Sequence, residues 1–187
     1  ARQRSGTART LWQGKATWQV VDSCDTPLAP DSPTGHYVKD TLSAHLHPRK
    51  ACLALARAIN ALGGDLAKDG SPKGVVLHAT GTHGLRSLSQ SLEKPVGTGI
   101  KGQAALLDFA APTSPQVFAE TLHIIPHTDG TTAIGSTSER EYNDPAETDA
   151  LLDDVIERAR RAVPALAQAK VLQRWAGERP RARSRAP

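Results

Sequence analysis

A hairpin signal in the second half of the chain limits the folds open to it. Residues 117–127 and 131–137 are strand-like, and the Asp129-Gly130 dipeptide between them is typical of a tight turn between two strands. A hairpin joins antiparallel strands, so this part of the chain is predicted to form an antiparallel sheet.

Two helices are predicted from apolar residues that recur every three to four positions. The first spans residues 48–62 and starts at a favourable Pro48. The second spans residues 145–163, where Asp144 is expected to cap the helix and Glu147 to complete a capping box. The side chains expected to be buried are Cys52, Leu55, Ala56, Ile59 and Leu62 in the first helix, and Leu152, Val155, Ile156, Ala159 and Val163 in the second.

A short apolar run at residues 74–79 ends in Thr80-Gly81. A run of that length closed by glycine is typical of a buried parallel strand that enters a tight turn, and a short helix is expected at 85–92. Further strands are predicted at 16–21, within 96–109 and at 171–175. Because an α/β stretch is followed by an antiparallel hairpin and a helix, the predicted fold class is mixed α/β, or α+β.

The net charge of +4 comes largely from the stretch from Arg174 to Arg185. Its one aromatic residue is Trp175 and it carries no nucleic-acid-binding module, so no nucleic-acid partner is predicted. Two interpretations stay open. The stretch is either a basic tail or phosphate-binding patch, or it contains one fixed arginine that binds a carboxylate through two hydrogen bonds.

Several classes of function find no support in the sequence. There is no apolar run of membrane-spanning length and no signal peptide. Cys24 and Cys52 form neither a metal-binding pattern nor a disulfide framework, which favours a cytoplasmic setting. The seven histidines match no metal motif, and no catalytic acid, base or nucleophile is predicted. With no methionine anywhere, the chain is expected to be cut from a longer protein.

Residues 97–102 match the dinucleotide-binding pattern G-x-G-x-x-G letter for letter. A working nucleotide loop needs a hydrophobic strand before it and a helix N-terminus after it, so that backbone amides face the phosphates. The preceding residues 92–96 do not form a buried strand pattern. We therefore predict a closely packed strand here and no nucleotide loop.

Five segments in order resemble the D-amino acid oxidase / glycine oxidase family of FAD-dependent oxidoreductases. They are residues 42–48 leading into the first helix, 75–81 ending in Ala-Thr-Gly, 99–103, the hairpin residues 123–126 with 134–137, and the Trp-Ala-Gly-Glu-Arg-Pro motif at 175–180. The resemblance covers roughly residues 38–187. It implies FAD as cofactor and hydride transfer from the α-carbon of an amino acid or related amine to the flavin.

The resemblance also implies site residues. Arg179 matches the arginine that pairs with the substrate carboxylate, and His123 stands where glycine oxidases often have a pocket tyrosine. Ala79, Thr80 and Gly81 match the backbone segment beside FAD. The small-molecule amino acid or amine, the electron acceptor and the oligomeric state stay open.

The implied domain organisation is a polar segment at 1–39, part of the FAD-binding domain at 40–90, an antiparallel substrate domain at 91–170 and a return segment at 171–187. The family's N-terminal glycine fingerprint and its C-terminal segment that closes over the flavin are not in the sequence, so we expect an internal fragment that binds little FAD by itself. The alternatives are a non-catalytic basic module that uses Arg174–Arg185, and a non-catalytic remnant of the family.

Overall fold

The computed structural model of the protein describes residues 2–183. Its helices are α1 (Arg2–Trp12), α2 (Pro48–Ala61), α3 (Gly81–Ser91) and α4 (Ala150–Ala162), with a short 3₁₀ helix at Pro164–Leu166. Its strands are β1 (Trp18–Val21), β2 (Tyr37–Asp40), β3 (Gly97–Asp108), β4 (Val117–Ala119), β5 (Leu122–Pro126), β6 (Thr132–Gly135) and β7 (Lys170–Ala182). The predicted mixed α/β class is confirmed.

The chain divides into two compact units. The first contains the described residues up to His45, together with Gln103–Thr137 and Ala146–Ala176. The second contains Leu46–Gly102, Ser138–Pro145 and the described residues from Gly177 onward. Strands β3 and β7 each have residues in both units.

The strands form two sheets. β1 and β2 make an antiparallel pair, and the other five are arranged in the order β4-β5-β6-β3-β7. The predicted hairpin is confirmed in β5 and β6, which are antiparallel and connected through the turn at Gly130, where φ is +84°. The predicted strand at 117–127 is divided in two, because Glu120 and Thr121 both adopt positive φ and reverse the chain between β4 and β5.

The hydrophobic core of the first unit lies between α4 and the sheet. The predicted apolar stripe of α4 is confirmed, since Leu152, Val155, Ile156, Ala159 and Val163 are all buried. They pack with inward-facing residues of the strands, which are Ala105, Leu107, Val117, Leu122, Ile124 and Ile134. These strand residues recur with the period of two that places one face of a strand towards a core.

The predicted start of α4 is wrong by several residues. The helix begins at Ala150 and is capped by Asp149, whose carboxylate accepts a hydrogen bond from the backbone N–H of Leu151 at 2.9 Å. The same carboxylate accepts from Nε2 of the buried Gln103 at 2.8 Å. This tertiary contact selects Asp149 over Asp144, although both carry the capping side chain.

The predicted strand at 74–79 is also wrong. The segment is irregular, and the side chains of Val75 and Leu77 are 91% and 89% exposed. A parallel strand requires hydrogen-bonding neighbours, and no described strand pairs with this segment. The helix predicted to follow it is confirmed as α3, which starts at Gly81.

Helix α2 is confirmed, with Pro48 in its first turn, but its predicted buried face is wrong. No residue of α2 is buried, and Cys52 and Leu55 are exposed. Helical periodicity identifies an apolar face but does not supply the partner that covers it.

The two ends of the chain contain more regular structure than predicted. Helix α1 was not anticipated in the polar N-terminal segment; Ala8 is buried, and Ser5 Oγ donates to the carbonyl of Trp18 at 3.3 Å. Strand β7 extends the expected strand at 171–175 in both directions. The G-x-G-x-x-G residues 97–102 lie within β3, which confirms the prediction of a strand.

Candidate functional site

Strand β7 carries Arg179 in the second unit, next to Glu178. Successive side chains of a strand point to opposite faces, so these two residues lie on different sides of β7. Arg179 is exposed, whereas the Glu178 side chain is only 11% exposed. The strand thus presents the arginine to solvent and holds the carboxylate against the protein.

The Glu178 carboxylate is bound from two directions. The guanidinium of Arg86 on α3 and the phenol of Tyr142 both donate hydrogen bonds to it. The hydrogen bond from Tyr142 lowers the pKa of the Glu178 carboxyl, and the hydrogen bond from Arg86 adds to this effect. Burial alone would raise the pKa, but the two hydrogen bonds outweigh it. The same hydrogen bonds to Glu178 raise the pKa values of Tyr142 and Arg86. Glu178 is therefore an ionised anchor that attaches β7 to α3.

Gly99 on β3 shows how closely these elements approach one another. A Cβ atom on Gly99 would lie 2.9 Å from Cγ2 of Thr82, and it would also overlap the Glu178 carboxylate. Only glycine leaves this space open. Thr82, which follows Gly81, and Glu178, which precedes Arg179, thus both lie close to Gly99 within the second unit.

A second ion pair lies beside the first. Lys101 Nζ is 3.7 Å from Glu139 Oε2, and both side chains are largely buried. The same Nζ lies 6.0 Å from the centre of the Tyr142 ring. We call Arg86, Tyr142, Glu178, Lys101 and Glu139 the Glu178 network. The sequence analysis did not find it, because its members are far apart in the chain and become neighbours only through the fold.

The segment Ala79-Thr80-Gly81 enters α3 at its N-terminus. Gly81 has φ +60°, a backbone conformation that favours glycine, and a Cβ there would meet no atom within 4 Å. The hydroxyl of Thr82 is buried and has no hydrogen-bond partner among the described residues. Backbone N–H groups at a helix start and an unsatisfied hydroxyl are suitable partners for a phosphate or ribose, so these residues fit a dinucleotide cofactor.

His123 lies on β5 in the first unit. Its side chain is exposed, and its ring packs at 4.9 Å between centroids against Phe118 of the neighbouring strand β4. Ala79, Thr80, Gly81 and Arg179 all belong to the second unit. The structure thus gathers four of the five predicted site residues in one unit and places His123 in the other.

The basic stretch from Arg174 to Arg185 does not act as one cluster. Arg174 forms an ion pair with Asp153 of α4 at 2.7 Å in the first unit. Arg181 and Arg183 line a cavity of the second unit. Arg185 lies outside the described residues. No helix within residues 2–183 is both long and apolar enough to cross a membrane.

Comparison with known proteins identifies the family. The family model described as FAD dependent oxidoreductase, DAO, matches residues 8–187. The glycine oxidase of Geobacillus kaustophilus is 26% identical over 58% of this chain and 30% of its own, with a TM-score of 0.50. The L-amino acid deaminase of Proteus vulgaris, lacking its specific insertion sequence, is 14% identical over 99% of this chain and 55% of its own, with a TM-score of 0.66.

These matches differ in what they support. The deaminase shares the fold at low identity, and the glycine oxidase is aligned over less than a third of its own length. No curated protein matches the sequence. The family model covers almost the whole chain, and the predicted resemblance is confirmed. The chain belongs to the DAO family of FAD-dependent oxidoreductases.

Proposed function

We propose that the protein takes part in oxidising the CH–NH bond of an amino acid or related amine, with Arg179 as the group that binds the substrate carboxylate. The observation that carries this proposal is the link between α3 and β7. The ion pair of Arg86 with Glu178 ties the helix that starts at Gly81 to the strand that carries Arg179.

Family membership supports FAD as the cofactor. When bound, FAD supplies the acceptor for the hydride that leaves the substrate α-carbon. The backbone of Ala79, Thr80 and Gly81 and the hydroxyl of Thr82 are the groups of this chain that would hold part of it.

The role of Arg179 follows from the chemistry of its side chain. A guanidinium presents two parallel N–H groups that match the two oxygens of a carboxylate. Because Glu178 is bound by Arg86 and Tyr142, the adjacent stretch of β7 is fixed in position. Arg179 thus orients the substrate through its acid group while the amine end is left for oxidation. We also assign His123 to substrate binding, from its position in the motif.

We also propose the division of labour implied by the family. Residues 40–90 would contribute to the FAD-binding domain and residues 91–170 to the substrate domain. Residues 171–187 would return to the FAD-binding domain. The part of this chain that aligns with the matched glycine oxidase covers 30% of that protein's length. Two free cysteines among the described residues favour a cytoplasmic location.

The experiment is kinetic and uses Arg179→Lys in the purified FAD-containing protein. A panel of amino acids, beginning with glycine, is assayed together with the corresponding amines that lack the carboxylate. Lysine keeps the charge but loses the two-pronged hydrogen bond, so KM for the amino acid should rise about 30-fold, the equivalent of about 2 kcal/mol. KM for the amine without a carboxylate should not change.

The matched control is Arg161→Lys, an exposed arginine on α4 in the first unit. It changes the same side chain elsewhere and should leave both substrates unaffected. The carboxylate assignment is wrong if Arg179→Lys changes the KM values of both substrates equally. If neither amino acids nor amines reduce the flavin, the proposed activity itself is wrong.

A further inference from the structure

The second unit contains a cavity of about 400 Å³ that is lined by three arginines. They are Arg140, which follows the bridge between β3 and residue 139, and Arg181 and Arg183 at the end of β7. The remaining lining residues are Pro95, Gly97, Thr98, Ile100 and Ala182. No acidic side chain of the described residues lines this cavity. We call it the arginine cavity.

Backbone hydrogen bonds fix the walls of the arginine cavity. The N–H of Arg183 donates to the carbonyl of Val96 at 2.8 Å, which holds the end of β7 beside the start of β3. On the other side, Lys101 and Glu139 exchange backbone hydrogen bonds of 3.0 and 2.9 Å. Because Arg140 follows Glu139 directly, this bridge places it next to β3.

Two acids of the same segments, Glu139 and Glu178, are already bound by other groups of the chain. Glu139 pairs through its side chain with Lys101, and Glu178 pairs with Arg86 and Tyr142. Within residues 2–183, no ion pair or side-chain hydrogen bond joins Arg140, Arg181 or Arg183 to a carboxylate. The cavity therefore concentrates three positive charges that the described chain does not neutralise.

We propose that the arginine cavity binds the phosphate group of a small phosphorylated molecule. Three guanidiniums exceed what a single carboxylate requires, whereas a phosphate dianion has enough acceptor oxygens for several of them. Its volume falls in the range of small-molecule sites, which is about 300–1,000 Å³. The buried Ile100 and the neighbouring Pro95 give it an apolar surface for the rest of the ligand. This site is separate from the carboxylate-binding role proposed for Arg179, which does not line the cavity.

The test uses calorimetric titration of the purified protein with inorganic phosphate and with glucose 6-phosphate, at constant ionic strength. Saturable binding of one phosphate group per chain is expected. Arg140→Ala and Arg181→Ala should each weaken that binding at least about tenfold, because each removes a charge-assisted hydrogen bond. Both positions are exposed, so folding should be retained, and an unchanged circular dichroism spectrum would verify it.

Arg161→Ala is the matched control, since it removes one exposed arginine in the first unit and should leave the affinity unchanged. Tighter binding of glucose 6-phosphate than of inorganic phosphate would show that the apolar wall also contacts the ligand, and equal binding would assign the site to the phosphate group alone. The proposal is overturned if neither probe binds saturably. It is overturned equally if Arg161→Ala weakens binding as much as Arg181→Ala, because the effect would then reflect net charge.

Discussion

Replacing Tyr142 by phenylalanine tests whether the Glu178 network stabilises the second unit. The substitution removes only the hydroxyl that donates to the Glu178 carboxylate. A hydrogen bond to a charged group contributes about 1.5–3 kcal/mol to stability. We take the lower end, because Arg86 is 52% exposed and continues to pair with the carboxylate in the variant. The expected loss is about 1.5 kcal/mol of unfolding free energy.

The assay is thermal unfolding followed by circular dichroism. For a protein of this size, a loss of 1 kcal/mol lowers Tm by about 2–4 °C, so Tyr142→Phe should unfold about 3–6 °C earlier at pH 7. The chain has one other tyrosine, Tyr37 on β2, and no hydrogen bond of its hydroxyl is present among the described residues. Tyr37→Phe is therefore the matched control and should melt with the unmodified protein.

The pH dependence provides a second criterion. The pKa of Glu178 is lowered in the folded protein, chiefly by Tyr142. A lowered carboxyl pKa contributes stability above the unfolded value, which is about 4.3 for glutamate, and this contribution is lost as the pH falls through the folded value. The difference in Tm between Tyr142→Phe and the unmodified protein should thus be full at pH 7 and shrink below about pH 4.3. Equal Tm values for the two tyrosine variants at pH 7 would refute the reasoning.

Two further substitutions test how the elements are held together, both by Tm. Asp149→Ala removes the cap of α4 and the acceptor for Gln103, and it should lower the unfolding free energy by about 2 kcal/mol. Asp149→Asn keeps an acceptor oxygen and should lower it less. Equal losses for the two variants would contradict the capping role. Gly97→Ala would place a Cβ 2.8 Å from the carbonyl oxygen of Arg181 and should cost about 1–3 kcal/mol, whereas Gly6→Ala on α1 meets nothing and should be neutral or stabilising; a neutral Gly97→Ala would show that β7 is not fixed there.

The parts of the fold that the sequence predicts are those whose signals are local. The hairpin follows from the glycine turn at Gly130, and the buried stripe of α4 follows from its helical period. A nucleotide-binding role for the G-x-G-x-x-G residues 97–102 could be rejected, because their neighbours lack the strand–turn–helix pattern that a nucleotide loop needs. In each case the residues that determine the structure lie within one short stretch of the sequence.

The errors concern residues whose state depends on partners far away in the chain. The apolar residues at 74–79 have a strand composition, but a strand also needs neighbouring strands, and none of the described ones pairs with it. The cap of α4 is decided by Gln103, which is distant in the sequence.

The candidate site shows the same difference between local motifs and contacts of residues that are distant in the sequence. Arg179, Ala79, Thr80 and Gly81 were assigned through motif resemblance, and their roles stay predictions. The Glu178 network could not be predicted, because Arg86, Tyr142 and Glu178 become neighbours only through the fold. Glu178 itself lies in the Trp-Ala-Gly-Glu-Arg-Pro motif, but the motif does not reveal its partners Arg86 and Tyr142.

An experimental structure of the protein with bound FAD and an amino acid tests the central claim most directly. The account predicts that the Arg179 guanidinium lies about 2.7–2.9 Å from both oxygens of the amino acid carboxylate, with the backbone at Gly81 against the FAD. A carboxylate held elsewhere, with Arg179 and Gly81 touching neither ligand, would contradict it.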